Sequence, residues 1–192
     1  MYLIKLGKLR KLVEKQYSQK HPDRDNWSDW LYNSHVLWVA DRTNELCKQH
    51  EGNKDIAVAA ALVHDIADSV MGRYCADHKE RSLEIGRELC NEAGYDQGEI
   101  DVIIDDVCLK HSCRDGIVPE SLEGRIMATA DALFHFETDF YLYAFHHRDN
   151  HTYEQRITWI REKLEKDFLK KLFFEESKRA ARPIYEALRK IT

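Results

Sequence analysis

Apolar residues recur along this chain at helical spacing, and no stretch shows the strict alternation of a half-buried strand. Tyr2, Leu6, Leu9, Val13 and Tyr17 share one face of a first helix over residues 1–20. The polar run His21 to Asn26, with Pro22, reads as a connection. A second helix is predicted from about Asp29 to His50, closed by Gly52. The next, Lys54 to Asp68, carries Ala57, Ala59, Ala60 and Ala61, small side chains that let a central helix approach its neighbours closely. Asp77-x-x-Glu80 and Asp96-x-x-Glu99 have the form of capping boxes and open helices ending at Gly94 and near His111. Ser121 is placed to cap a long helix with Ile126, Ala130, Leu133 and Phe134 on one stripe. Thr152-x-x-Gln155 opens a last pattern, with Ile157, Ile160, Leu164 and Phe168, expected to run to Ala181 and be interrupted at Pro183. The expectation is an all-α, single-domain helical bundle.

Composition agrees with that pattern. Eight glycines and three prolines in 192 residues are few for a protein built on tight β-turns. The length suits one domain with a real core. No apolar run approaches the roughly 18 to 20 residues that span a bilayer. Residues 1–20 lack the apolar stretch and small-residue cleavage site of a secretory signal, so no membrane partner is expected. Five cysteines (47, 75, 90, 108, 113) are an odd number without a CxxC pair, which speaks against a disulfide framework and for a cytoplasmic setting.

The net charge of −5 is unevenly spread: residues 1–20 sum to +5, residues 161–192 to +4, and residues 21–160 to −14. An acidic centre disfavours extended nucleic acid as a partner. A small anionic substrate would need cations at the site.

The single His-Asp dipeptide, His64-Asp65, is what chance predicts from ten His and 17 Asp. Its setting says more, because it closes the apolar segment Ala59-Ala-Ala-Leu-Val63. A His and an Asp at the end of a buried helix cost several kcal/mol unless something compensates, and a metal ion is one candidate. His35 lies 29 residues earlier, on a face with Val39, Thr43 and Leu46. Asp131 lies 66 residues after Asp65, amid Met127, Ala128, Ala130, Leu133 and Phe134. Two imidazoles and two carboxylates suit a divalent ion that keeps open positions.

The order H…HD…D, with Trp30 ahead of His35, resembles the HD-domain metal-dependent phosphohydrolases, in particular the small stand-alone forms. The likeness extends through AALVHDIAD, DHKERSLEIG from 77 to 86, Lys110-His111-Ser112 and LEGRIMATADAL from 122 to 133. It implies metal ligation by His35, His64, Asp65 and Asp131 within a bundle of about five helices. Residues 27–147 would form the HD-type core, 1–26 an N-terminal helix and connection, and 148–192 a C-terminal helical extension packed on that core. His78 and His111 match positions where some members hold a second metal or contact phosphate; capping or surface polar residues are the equal alternative. Asp68, three residues after Asp65, reads as a catalytic carboxylate or as an ordinary residue of a C-terminal turn. Lys110 is a candidate for phosphate binding, with a surface lysine the stronger reading. His135, His146 and His147 follow Asp131 along the same predicted helix, and the aromatic residues from Phe134 to Phe145 suit core packing better than base stacking.

The implied activity is cleavage of a phosphate ester or anhydride, in a nucleotide, by a metal-activated water. One or two ions per chain would serve, drawn from Mn2+, Mg2+, Co2+, Fe2+ or Zn2+. The competing readings are a non-catalytic metal- or nucleotide-binding sensor and a purely structural metal. The basic C-terminal helix leaves a homodimer contact open.

Overall fold

The computed structural model describes residues 2–148 and 151–192, with side chains from residue 4 onward; the Tyr2 side chain of the first apolar stripe lies outside the described part. Every regular element among the described residues is helical. The chain divides into two compact units, residues 1–127 and 128–192.

In the first unit, α1 (Tyr2–Ser18) buries Leu9, Val13 and Tyr17, three of the expected stripe. Helix α2 begins as Ser28–Trp30, widens into a π-helical turn over Leu31–Val36, and continues as Leu37–His50. It ends through Glu51 in the left-handed conformation (φ 58°), one residue before the expected Gly52, whose amide bonds back to Cys47 O at 3.1 Å. Gly52 is still needed there, since a Cβ would lie 2.5 Å from Ile126 Cδ1.

Helix α3 (Lys54–Val63) is the centre of this unit and packs against α1, α2, α4 and α5. Residues 56–63 are all buried, and Ala57, Ala59, Ala60 and Ala61 are wholly inaccessible. The helix is shorter than the pattern suggested. Asp65 leaves helical geometry (φ −126°, ψ 33°), and Ile66–Ser69 form a separate 3-10 turn. The apolar periodicity runs through this break, so the sequence did not mark it.

Helix α4 (His78–Ala93) ends at Gly94 in the left-handed region (φ 94°), as expected. Its Asp77 makes no side-chain cap, so the first of the two capping boxes is not formed. The second, Asp96 with Glu99, is formed and opens α5, which runs as Gln97–Asp101 and a π-helical stretch Val102–Cys108. Asp106 then fastens the following loop, accepting from the amides of Glu120 (3.0 Å) and Ser121 (2.9 Å).

Helix α6 (Leu122–Glu137) starts with Ser121 Oγ accepting from the Gly124 amide at 3.0 Å. Its residues from Ala128 on belong to the second unit. It stops at Glu137, and α7 (Phe140–His146) is a distinct helix, so His146 and His147 do not share one helix with Asp131. Helix α8 runs as Tyr153–Lys166 with a π-helical end Asp167–Lys171, opened by the formed Thr152/Gln155 box. The break expected at Pro183 falls instead at Leu172 (ψ 94°), and Pro183 lies inside α9 (Glu175–Ile191). The core of this unit is aromatic: Phe168 stacks on Tyr185 (4.0 Å, 6°) and meets Phe136 edge-on (6.2 Å).

Candidate metal centre

His35 enters the first unit's centre from the π-helical turn of α2, and its ring is fully buried. A π-turn carries one extra residue per turn, a local irregularity that recurs at functional sites. His64 follows the last residue of α3 and is 2% accessible. The two rings meet with their Nε2 atoms 3.0 Å apart.

The tautomer of His64 is fixed by its other nitrogen. Nδ1 lies 2.8 Å from Ala61 O. A carbonyl can only accept, so Nδ1 carries the hydrogen, and Nε2 is the nitrogen left to face His35 and a ligand. His111 is held alike: its Nδ1 donates to Cys108 O at 2.6 Å, and its ring stands 5.2 Å from that of His64, nearly perpendicular. Backbone anchoring of this kind sets the orientation of metal-ligating histidines in general.

Asp65 sits where the chain leaves α3. Its Oδ2 is 3.6 Å from His64 Nε2. His64, Asp65 and His111 each offer a ligand atom within 4.8 Å of the others. Burial works against the Asp65 charge, but Arg73 above all, with His64, His111 and His78, outweighs it and holds the carboxyl well below the usual range. Arg73 donates from Nη2 to Asp65 and from Nη1 to Asp68. The Tyr17 hydroxyl reaches Asp65 O at 3.5 Å, and burial together with Asp68 and Asp65 pushes its pKa well up.

Asp68, on the 3-10 turn, is 1% accessible and receives His78 Nε2 on Oδ1 at 2.9 Å. Burial opposes a charge on His78, yet that hydrogen bond and the charges of Asp65 and Asp68 raise its pKa. Lys110 extends to Asp106 (3.0 Å) and Glu120 (2.7 Å).

Asp131 lies on α6 in the second unit. It is 4% accessible and takes a hydrogen bond from the buried Lys171, which follows it by 40 residues. One turn along, His135 has Nε2 3.8 Å from Asp131 Oδ1 and Nδ1 2.9 Å from Asp167 Oδ2. Burial first, then Lys163, lowers the His135 pKa to about 4, so this ring is neutral at neutral pH.

The donor set of the first unit fits a divalent cation. It offers imidazole nitrogens with fixed lone pairs and an ionised carboxylate. Neighbouring ligands each about 2.1 Å from a shared ion lie about 3 Å apart, which the two Nε2 atoms match.

Two residues, one in each unit, were not legible beforehand. Arg73 lies in the loop between the 3-10 turn and α4, where no periodicity operates. Lys171 resembled any other lysine of a basic helix; an isolated Lys in an otherwise apolar i, i+3, i+4 stripe with Leu164 and Phe168 was the available clue.

The family model for the HD domain matches residues 32–134, more than half of the chain. No curated relative and no solved structure matches at a significant level. The match begins three residues before His35 and ends three after Asp131, so all four residues of the H…HD…D pattern fall inside it. The all-helical fold and that match agree: this chain belongs to the HD-domain family.

Proposed function

We propose that the chain is a metal-dependent phosphohydrolase that cleaves a phosphate ester or anhydride of a small phosphorylated substrate, a nucleotide in the reading favoured here. The observation that carries it is the pair of buried histidines with facing Nε2 atoms beside an ionised Asp65, His64 being fixed as a donor to Ala61 O. His35, His64 and Asp65 would hold one divalent cation, and Asp131 is the fourth ligand that the HD-type pattern implies. Support for Asp131 is its place in the matched span and its burial on an apolar helix.

A cation so held supplies Lewis acidity toward water and toward a phosphoryl oxygen. The residues of this chain then divide the remaining work. Asp68 accepts from His78 Nε2 and favours the protonated ring, so that the proton His78 passes to the departing oxygen is the one on its other nitrogen, Nδ1. Tyr17 fixes the Asp65 backbone through O. His111, with Nδ1 on Cys108 O, turns Nε2 toward the same region and is available to a second ion or to the phosphate. Lys110, already between two carboxylates, is assigned a loop-holding role in this reading.

The test is metal analysis of the purified protein, followed by phosphate release across nucleotides and phosphomonoesters with Mn2+, Mg2+, Co2+ and Zn2+. Turnover that disappears in Asp68→Asn while the metal stays bound supports the assignment. Metal and nucleotide binding without turnover for any substrate would replace it with a sensor.

A further inference from the structure

Arg73 makes an arrangement that the cation reading does not use. Its Nη2 donates to Asp65 Oδ2, the same oxygen that faces His64 Nε2 at 3.6 Å. A cation bound by His64 and Asp65 and the Arg73 guanidinium therefore compete for one atom. We propose that Arg73 occupies two positions: on the carboxylates when the metal is absent, and on the phosphoryl oxygens of the substrate when it is bound. This rests on the metal-centre reading above.

Four features of the first unit support the exchange. The guanidinium fork spans one oxygen each of Asp65 and Asp68, and a fork that grips two carboxylate oxygens fits two oxygens of a phosphoryl group equally well. Asp68 is not left bare when Arg73 departs, because Oδ1 keeps His78 Nε2. The stem of Arg73 is fixed, so only the side chain need turn. Its amide donates to Asp25 Oδ2 at 2.8 Å, an oxygen that also takes the Trp27 indole N–H at 2.9 Å. Gly72 permits that approach, since a Cβ there would stand 3.2 Å from Asp25 Oδ1. Finally, the Arg73 side chain is 19% accessible whereas that of Asp68 is 1%, so the arginine is the partner with solvent on one side.

Charge favours the same sequence of events. Asp65 and Asp68 together carry −2 and Arg73 +1. Adding a divalent ion turns this group to +1, which repels the guanidinium from its first position and attracts a phosphate. Arg73 thus serves as the internal counter-ion of the empty carboxylates and as a specificity element for phosphoryl substrates.

Calorimetric titration of Mn2+ and of inorganic phosphate into wild type, Arg73→Gln and Arg73→Lys tests the inference. In phosphate-free buffer Arg73→Gln is expected to bind Mn2+ several-fold more tightly than wild type. On the Mn2+-loaded proteins, phosphate affinity should fall at least tenfold in Arg73→Gln and several-fold in Arg73→Lys, which keeps charge but not the fork. Equal or weaker Mn2+ binding by Arg73→Gln overturns the competition, and unchanged phosphate affinity in both variants overturns the substrate role. Should Arg73→Gln fail to fold, the Arg73→Lys phosphate titration decides alone. If wild type takes up no Mn2+, the metal-centre reading fails first; if it does and the variants behave as wild type, only the role of Arg73 fails.

Discussion

His64 turns Nε2 to within 3.0 Å of His35 Nε2 because its Nδ1–H is committed to the carbonyl of Ala61, one turn back on the same helix. Without a cation, the two facing nitrogens share at most one proton. With one, both lone pairs are used. Replacing His64 by Ala should therefore weaken Mn2+ binding by at least a hundredfold, about 2.7 kcal/mol. Isothermal titration measures it, and a far-UV spectrum confirms that the helices persist. A variant with wild-type affinity would place the ion elsewhere.

The Asp68–His78 pair should be visible in a titration of the metal-free protein. The folded pKa of His78 is raised above its usual 6.5, since the hydrogen bond and the carboxylate charges outweigh burial. A raised folded pKa means that the stabilisation is fully present below the unfolded value and disappears as pH rises through the folded one. In Asp68→Asn burial remains while the attraction weakens, so the His78 pKa should drop, below 6.5 if burial then dominates. NMR titration of the ring protons reads both values. An unchanged pKa would remove Asp68 as the residue that keeps His78 charged.

Asp106 makes a prediction at the other end of the pH scale. Burial opposes its charge, but the Glu120 and Ser121 amides, the Ser121 hydroxyl and Lys110 lower its pKa to about 2. A depressed folded pKa gives stability that is present above the ordinary value near 4 and lost as pH falls toward 2. Asp106→Asn should cost about 1 to 3 kcal/mol at neutral pH through the weakened hydrogen bonds to charged acceptors. Thermal melts at pH 7 and pH 2.5 check this: the gap between variant and wild type should narrow at the lower pH.

The helical class, the central Ala-rich helix and the four residues of the H…HD…D pattern were legible because they rest on periodicity and on polar residues set into apolar runs. What escaped leaves no mark in the apolar periodicity. The π-helical turns at Leu31–Val36 and Val102–Cys108 and the break at Asp65 preserve an apolar stripe while changing the backbone beneath it. Pro183 drew the expected interruption, yet it is tolerated inside α9, and the chain breaks at Leu172 without any residue that advertises a turn. Arg73 comes from a loop, where only three-dimensional proximity shows that it reaches Asp65 and Asp68.

Lys171 offers the last test, because it is a buried ammonium with a buried carboxylate for a partner. It is 2% accessible, its carbonyl accepts from Thr129 Oγ1 at 3.1 Å, and its ammonium donates to Asp131. Removing one member of such a pair leaves an uncompensated charge, at a cost of about 3 to 5 kcal/mol. Lys171→Met should therefore lower the metal-free melting temperature severely, within a total stability of about 5 to 15 kcal/mol. If Asp131 belongs to the cation site, Mn2+ supplies the missing positive charge. The rise in melting temperature on adding saturating Mn2+ should then be larger in Lys171→Met than in wild type, since ligand binding to the folded state adds to its stability. The double variant Lys171→Met/Asp131→Leu separates the two effects. It should recover much of the metal-free stability, since neither member of the pair is left without the other, and should show little stabilisation by Mn2+. A double variant that still responds to Mn2+ as wild type does would take Asp131 out of the ligand set.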